Sequence, residues 1–427
     1  MIEQVHRPRL LIVSAVLPFP RQAGQNQRVY YTLRAARELF HLTFLTVADA
    51  ARIDSMHAQL SELCEETVAL PSVYASNPAK RAWHRVLGTL FTLRTGLKLS
   101  NYVVGQLELA PARVAAVLDA AHFDCVLFEY WHAWQTVEVF RTRGIPCVLD
   151  MHDVLWQSYA RQLDAKRSIP GWWKRRAVAA YRSAEEAVWQ QFDALIAINA
   201  AEGEYARKVV GGGKRIFYAP MGTDLAQWPY SWRPAQPPRI AYYGGLGSVH
   251  NQQDALRCYE RIMPLIWQRY PQAELWLVGS SPPPALRALP AKDPRVTVTG
   301  FVERVQDVLR TMTTVLCPWS GTYGFRSRLI EAMALGVPVV ATPDAVYGMD
   351  MSPGQGLLLE AADNGLAKAC ISLIENTDQA REQSRLARRQ IEQKYSYEAT
   401  YGRLAQELLE FMQNFRPLPD SQVGCTR

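Results

Sequence analysis

No stretch of this 427-residue chain runs to 18 apolar residues free of charge, so no segment reads as a membrane-spanning helix. There is no CxxC and no Cys/His metal spacing. The seven cysteines (Cys64, Cys125, Cys147, Cys258, Cys317, Cys370 and Cys425) are scattered. An odd, unpatterned set excludes a disulfide framework and points to reduced thiols in the cytoplasm. Internal repeats, low-complexity runs, and nuclease, kinase or Ser-His-Asp signatures are all missing. The dinucleotide fingerprint is missing too: Gly244, Gly245 and Gly247 form GGLG, without the G-x-G-x-x-G spacing or an acidic residue on a following strand. The apolar run RLLIVSAVLP, Arg9 to Pro18, has signal-peptide length, but Pro20, Arg21 and Gln22 stand where a small-residue cleavage site would be. It reads as a buried first strand.

What is present fits a soluble two-domain protein. The length exceeds one ordinary core, and 48% hydrophobic and 20% charged residues are globular values. The formal net charge of +7 favours anionic partners, among them phosphorylated sugars, nucleic acid and anionic lipid headgroups.

The first half opens as a βαβ unit. Strand Leu10–Ser14 leads into a loop with Pro18, Pro20 and Gly24, then a helix with Val29, Leu33, Ala36 and Phe40 on one stripe, then strand Leu42–Val47. Such a unit calls for a parallel sheet whose ligands sit at the carboxyl ends of the strands. The loop at Gly24 is thus either a ligand contact or a plain turn. Residues Asn77 to Gln106 read as helical and basic, with Lys80, Arg81, Arg85, Arg94 and Lys98, no acid, and Trp83, Leu87, Leu90, Phe91 and Leu97 interleaved. Two readings fit: a membrane-surface element, or a solvated helix whose apolar side packs on the sheet. A second basic patch, Arg161 to Arg182, sets Trp172 and Trp173 beside Lys174, Arg175 and Arg176, which suits an anionic membrane or a nucleic acid. No nucleic-acid recognition motif accompanies it, so nucleic acid is not an expected partner. Strands Asp124–Phe128 and Pro146–Leu149 end in Glu129-Tyr130-Trp131-His132 and Asp150-Met151-His152-Asp153. His152 and Asp153 are the titratable pair of interest here, catalytic or structural.

Residues 219–238, rich in proline, read as a linker. Beyond them three strands end at or near glycine: Arg239–Tyr243 at Gly244, Glu274–Val278 at Gly279, and Arg295–Thr299 at Gly300. Glycines along one sheet edge let backbone approach a ligand. Strand Thr314–Cys317 then reaches the organising stretch, WSGTYGFRSRLIEAMALGVPVVAT. Its helix, Ser327–Leu335, starts after Gly324 and stops at Gly336 and Pro338. Arg326 and Arg328 occupy the first turn, where the helix dipole gains nothing from cations, and Glu331 follows Arg328 on the same face. Cations at a positive helix end suit a phosphate, and a carboxylate one turn inward suits sugar hydroxyls. The competing reading is a surface Arg–Glu pair.

The stretch GFRSRLIEAMALGVPVVAT, with YYGGLGSVHNQQDAL, AELWLVG, VTVTGFV and VLCPW before it, resembles the donor site of family 4 retaining glycosyltransferases. VLDMHD, ALIAIN and APMGTD sit where that family has comparable segments. The resemblance implies an α/β fold of two facing Rossmann-like domains (GT-B), each a parallel sheet flanked by helices, with a C-terminal helix crossing back to the first domain. The implied division is 1–218 for the acceptor domain, 219–238 for the linker, 239–394 for the donor domain and 395–427 for the returning helix and tail. Glu331 matches the glutamate that binds the nucleotide ribose. Arg326 and Arg328 match basic positions for the diphosphate. Gly245 lies in the loop facing the phosphates, next to Ser248, Val249, His250 and Asn251. Phe301 and Val302 lie where the base is held, and Gly324 opens the donor helix. Gly24 and His152 match first-domain positions facing sugar and acceptor.

Two departures stand out. Tyr323 replaces the first of a pair of glutamates eight positions apart, and the Arg/Lys pair usual after the glycine loop is absent. The style is that of a subset associated with bacterial exopolysaccharide assembly. The resemblance therefore implies a retaining, metal-independent hexosyltransferase-like enzyme with no cofactor beyond its nucleotide diphosphate sugar co-substrate. A growing or lipid-linked glycan is the implied acceptor, and peripheral contact with the inner face of the plasma membrane is expected. A catalytically degenerate nucleotide-sugar-binding module and a nucleotide-sugar epimerase are the alternatives.

Overall fold

The computed structural model describes residues 7–21, 23–118, 123–164, 166, 168–321 and 325–416. The chain divides into two compact units, residues 1–219 with 401–427, and residues 220–400.

The first unit is built on a seven-stranded parallel sheet. Its strands are β1 (Arg9–Ser14), β2 (His41–Ala48), β3 (Glu66–Pro71), β4 (Cys125–Glu129), β5 (Cys147–Asp150), β6 (Ala194–Ala197) and β7 (Arg215–Tyr218), in the order β3-β2-β1-β4-β5-β6-β7. The central strands are continuous apolar runs because helices cover both faces, and every residue of β4 and β5 is buried. Order reverses between β1 and β4, whose register pairs Ser14 with Glu129. The helices that matter below are α1 (Gly24–Leu39), α2 (Pro78–Thr95), α3 (Leu155–Asp164), α4 (Gly171–Trp189) and α5 (Ala200–Val210). In α1 the stripe of Val29, Leu33 and Ala36 is buried, as its spacing predicts. Helix α2 is shorter than the expected Asn77–Gln106. Gly96 caps it in the left-handed region at φ 75°, and two short helical segments, Leu99–Asn101 and Tyr102–Glu108, follow. Its half-buried Phe91 meets Tyr102 at 5.7 Å between ring centroids, so its inner side packs on this following segment rather than on the sheet.

The second unit has six parallel strands: β8 (Arg239–Tyr243), β9 (Glu274–Val278), β10 (Val296–Gly300), β11 (Thr314–Cys317), β12 (Val339–Ala341) and β13 (Leu357–Leu359), in the order β10-β9-β8-β11-β12-β13. The reversal falls between β8 and β11. Helices α6 (Val249–Arg257), α7 (Ser327–Ala334), α8 (Asp363–Glu375) and α9 (Thr377–Lys394) flank it. The proline-rich segment is tied to this unit: Ser231 N and Trp232 N donate to Leu335 O, and Arg233 N and Ala235 N donate to Arg310 O and Thr311 O. The tail is not one long helix. After α8 and α9 the last helix, α10 (Arg403–Asn414), joins the first unit, where Phe411 meets Phe217 edge-on at 5.9 Å. Cys64, Cys125 and Cys147 in the first unit and Cys258, Cys317 and Cys370 in the second are all buried free thiols.

Candidate active site

In each unit, chemistry-bearing side chains collect at strand carboxyl ends beside the reversal of strand order, where open α/β sheets bind ligands. In the second unit β8 ends in Tyr243 and α7 presents Arg328 and Glu331 to it. The Tyr243 hydroxyl donates to Glu331 Oε2 at 2.6 Å. Arg328 Nη1 donates to both Glu331 oxygens, at 3.0 and 2.7 Å, and to the Tyr243 hydroxyl at 2.9 Å. The guanidinium also lies 5.1 Å from the Tyr243 ring centroid. Burial and the neighbouring carboxylate raise the Tyr243 phenol, keeping it protonated as a donor. Burial alone would lower Arg328, but Glu331 and Tyr243 outweigh it and hold the guanidinium charged. The Arg328–Glu331 pair is therefore no free surface ion pair. Glu331 is buried, and its Oε1, which takes one bond from Arg328, keeps lone-pair capacity for a hydroxyl.

Arg326, at the N-cap of α7, stacks over Trp319 at 5.1 Å, and Trp319 Nε1 donates to the Tyr242 hydroxyl at 3.2 Å. Asp254 on α6 is a further carboxylate here that the sequence reading missed. Burial pushes it up to about 6, against the opposing charges of Arg326, Arg257 and His250. At the far end of α7, Arg388 of α9 donates to Ala334 O at 2.8 Å, a cation where the helix dipole is negative.

The glycine loop is open at Gly245, where an added Cβ would meet nothing within 4 Å. Asn251 fixes the loop by donating from Nδ2 to Gly245 O at 2.8 Å. Gly279 cannot carry a side chain: at φ 157° its Cβ would fall 1.7 Å from Gly244 O. Phe301 is 80% exposed beyond β10, and Val302 is half-buried beside it. Gly324 and Tyr323 lie outside the described residues.

In the first unit His152 follows β5 at φ 58°, a left-handed backbone uncommon for a residue with a side chain. The neighbours His152 and Asp153 have different hydrogen-bond partners. His152 Nε2 pairs with Glu129 Oε2 at the end of β4, and its charge acts on Asp153 only at a distance. Asp153 bonds to Glu202 of α5, and both carboxyls are raised, Glu202 to about 9 by burial and the Asp153 charge. Tyr130 stacks on His152 at 4.0 Å, and its hydroxyl donates to Gln25 Oε1 at 3.2 Å, bringing the Gly24 end of α1 to the same cluster. Arg28 of α1, missed from sequence, is fully buried. Its Nε lies 2.6 Å from Asp150 Oδ2, and its Nη1 donates to Ala219 O at 2.9 Å. Glu129 is raised, mainly by burial, while His152 and Arg28 oppose the shift. Ligand atoms of Glu129, Asp150 and His152 lie within 4.8 Å of one another, a spacing a metal could bridge. The Arg28 guanidinium already stands against Asp150, so a metal would compete with a cation built into the chain.

A family model described as "Glycosyl transferase 4-like domain" matches residues 23–222, and one described as "Glycosyl transferases group 1" matches residues 237–376. No curated protein matches significantly by sequence. Among solved structures, sucrose-phosphate synthase from Thermosynechococcus elongatus superposes with a TM-score of 0.64 at 18% identity, over 96% of this chain and 100% of that one. HepE of Anabaena, in complex with UDP, superposes with a TM-score of 0.62 at 15% identity, over 94% and 99%. A putative UDP-N-acetylglucosamine 2-epimerase from Listeria monocytogenes gives 0.52 at 13% identity, over 96% and 98%. At these identities the structural likenesses speak for the fold alone: two parallel sheets, each flanked by helices.

Proposed function

Because this chain belongs to the family 4 glycosyltransferases, of the GT-B type, we propose that it moves a sugar, with retention, from a nucleotide diphosphate sugar to a hydroxyl acceptor. The observation that carries this reading is the Tyr243–Arg328–Glu331 triad beside the open glycine loop. Glu331 takes the ribose hydroxyls. Arg326 and Arg328, with the N-terminus of α7, meet the charge that develops on the leaving diphosphate. That charge set makes a metal unnecessary in this reading. Backbone at Phe301 and Val302 holds the base, and Gly245 and Asn251 shape the phosphate loop.

Gly24 and His152 serve the sugar and acceptor. Glu129, paired with His152 Nε2, holds the imidazole in one orientation. The leaving phosphate takes the acceptor proton, so no enzymic nucleophile is invoked. The acceptor is a growing or lipid-linked glycan of a bacterial polysaccharide, and the protein works in the cytoplasm at the inner face of the plasma membrane. HepE was solved with UDP-glucose as well as UDP, which makes UDP-sugars the first donors to test.

The test is thermal stabilisation by UDP-, GDP- and ADP-sugars, with Glu331→Ala alongside. A ligand that binds only the folded protein at a hundredfold excess over its Kd stabilises by about 2.7 kcal/mol. Stabilisation of the wild type but not of Glu331→Ala is expected. A folded protein indifferent to all three sinks the donor assignment. Binding followed by release of an altered sugar without acceptor would favour the epimerase reading, and binding without any turnover the degenerate module.

A further inference from the structure

The outer side of helix α2 is apolar where a solvated helix would be polar. Trp83, Val86, Leu90 and Leu93 are 61, 53, 57 and 58% exposed. Their spacing of three, four and three residues puts them on one stripe. The opposite side of the helix is already in use. Gly88 is buried so closely that a Cβ there would lie 2.1 Å from Leu99 Cδ1, and His84 Nδ1 is 3.2 Å from the Tyr102 hydroxyl. The outer stripe therefore contributes nothing to the core.

Cations border it. Lys80, Arg81, Arg85 and Arg94 are exposed, and residues 67–107 contain no Asp or Glu. The stripe continues toward helix α4. A Cβ on Gly96, at the end of α2, would come within 2.7 Å of Ala180 Cβ. An open depression of about 100 Å³ is lined by Leu93, Arg94, Trp173, Arg176 and Ala177. Next to it, Trp172 is 61% exposed in the first turn of α4, and Arg175 and Arg176 are exposed within residues 165–184, which also lack any acid.

We propose that this face, the outer stripe of α2 with the first turns of α4, docks the protein on an anionic bilayer. Charge complementarity selects the occupant. An apolar stripe edged by long cations, with tryptophans at its margins, matches the headgroup boundary: rings sit at the interface, and Lys and Arg stems let their charges reach lipid phosphates. No helix among the described residues is long and apolar enough to cross a membrane, so the contact is peripheral. The surface shares no residue with the proposed donor site, and it stands whether or not that site binds a nucleotide sugar.

The experiment is co-sedimentation of the full chain with phosphatidylcholine vesicles, with and without phosphatidylglycerol, at low and high salt. Two variants accompany it, Trp83→Ser/Leu90→Ser/Leu93→Ser and Lys80→Gln/Arg81→Gln/Arg94→Gln. The wild type is expected to sediment only with phosphatidylglycerol and to be released by salt. The charge variant should lose about a hundredfold in partitioning for three cations, and the serine variant should lose binding at any salt. Because all these side chains are exposed, both variants should keep the wild-type melting temperature and response to UDP-sugars, which separates this test from that of the donor site. A wild type that stays in the supernatant, or variants that sediment like it, overturns the proposal. So does a dimer in gel filtration that the serine variant splits, which would make a second copy the occupant.

Discussion

Arg28 and Asp150 form an ion pair with Nε 2.6 Å from Oδ2, and both side chains are sealed from solvent. The pair joins helix α1 to the end of strand β5, where Asp150 Oδ1 also accepts from His152 N at 3.2 Å. Replacing one partner leaves the other charged and buried, which costs about 3–5 kcal/mol. Arg28→Met should therefore lower the unfolding free energy of the first unit by that much, read as a lower urea midpoint at unchanged slope. Arg28→Met/Asp150→Leu should recover most of the loss, and a double-mutant cycle in urea reads both.

Tyr243→Phe removes one donor from Glu331 while Arg328 still holds it. The expected loss is about 1 kcal/mol of stability, and roughly fivefold in nucleotide affinity if the phenol fixes the carboxylate for ribose. Calorimetric titration with UDP checks the second figure. An unchanged Kd would mean that Arg328 alone positions Glu331.

Glu129→Gln keeps the shape beside His152 but allows the amide to present its donor instead of an acceptor. In the proposed mechanism kcat falls by on the order of tenfold or more. The thermal shift with a nucleotide should not move, since the Tyr243–Arg328–Glu331 triad is untouched. A drop in both would assign Glu129 a structural role.

Stability should depend on pH through two buried carboxyls of the first unit. Burial pushes Glu185 up to about 8, although it accepts from Leu155 N and Trp156 N at 2.9 and 2.7 Å. Glu202 stands at about 9. Both values lie above those of an unfolded glutamate, so the folded state holds protons that the unfolded state releases. Their contribution is present below pH ~4.3 and is lost as pH rises toward 8 and 9. Melting temperature should fall between pH 6 and 9, and Glu202→Gln should flatten the slope.

Much of this was legible in the sequence because it is written locally. β8, β9 and β11 coincide with the apolar runs that mark them, and α7 lies between its flanking glycines. The donor helix could be read because Arg328 and Glu331 are one turn apart. Partners distant in sequence could not: Tyr243 is 88 residues from Glu331, and Arg28 is 122 from Asp150. Arg28, just before the buried Val29, looks like a surface cation until α1 is laid on the sheet. The sequence marks His152 and Asp153 as neighbours, but nothing local shows that His152, at φ 58°, meets Glu129, 23 residues earlier. β3, with the sequence ETVALP, was missed because an edge strand with a partly exposed face and a terminal proline lacks the apolar run of its neighbours. Periodicity marks helix α2 as amphipathic, but it does not tell that the inner side rests on Leu99 and Tyr102 and leaves Trp83 and Leu90 outside.

The burial of the free thiols makes the chain its own reporter of motion. Burial raises Cys125, Cys147, Cys258, Cys317 and Cys370, so an alkylating reagent meets neither a reactive thiolate nor an accessible sulfur until the surrounding layer opens. Three of the six buried cysteines belong to each unit. With Cys425, which lies outside the described residues, replaced by serine, the order in which peptides become labelled would time the opening of each half separately. Repeating the labelling with a nucleotide sugar bound would show which half the ligand keeps shut, with no probe added to either.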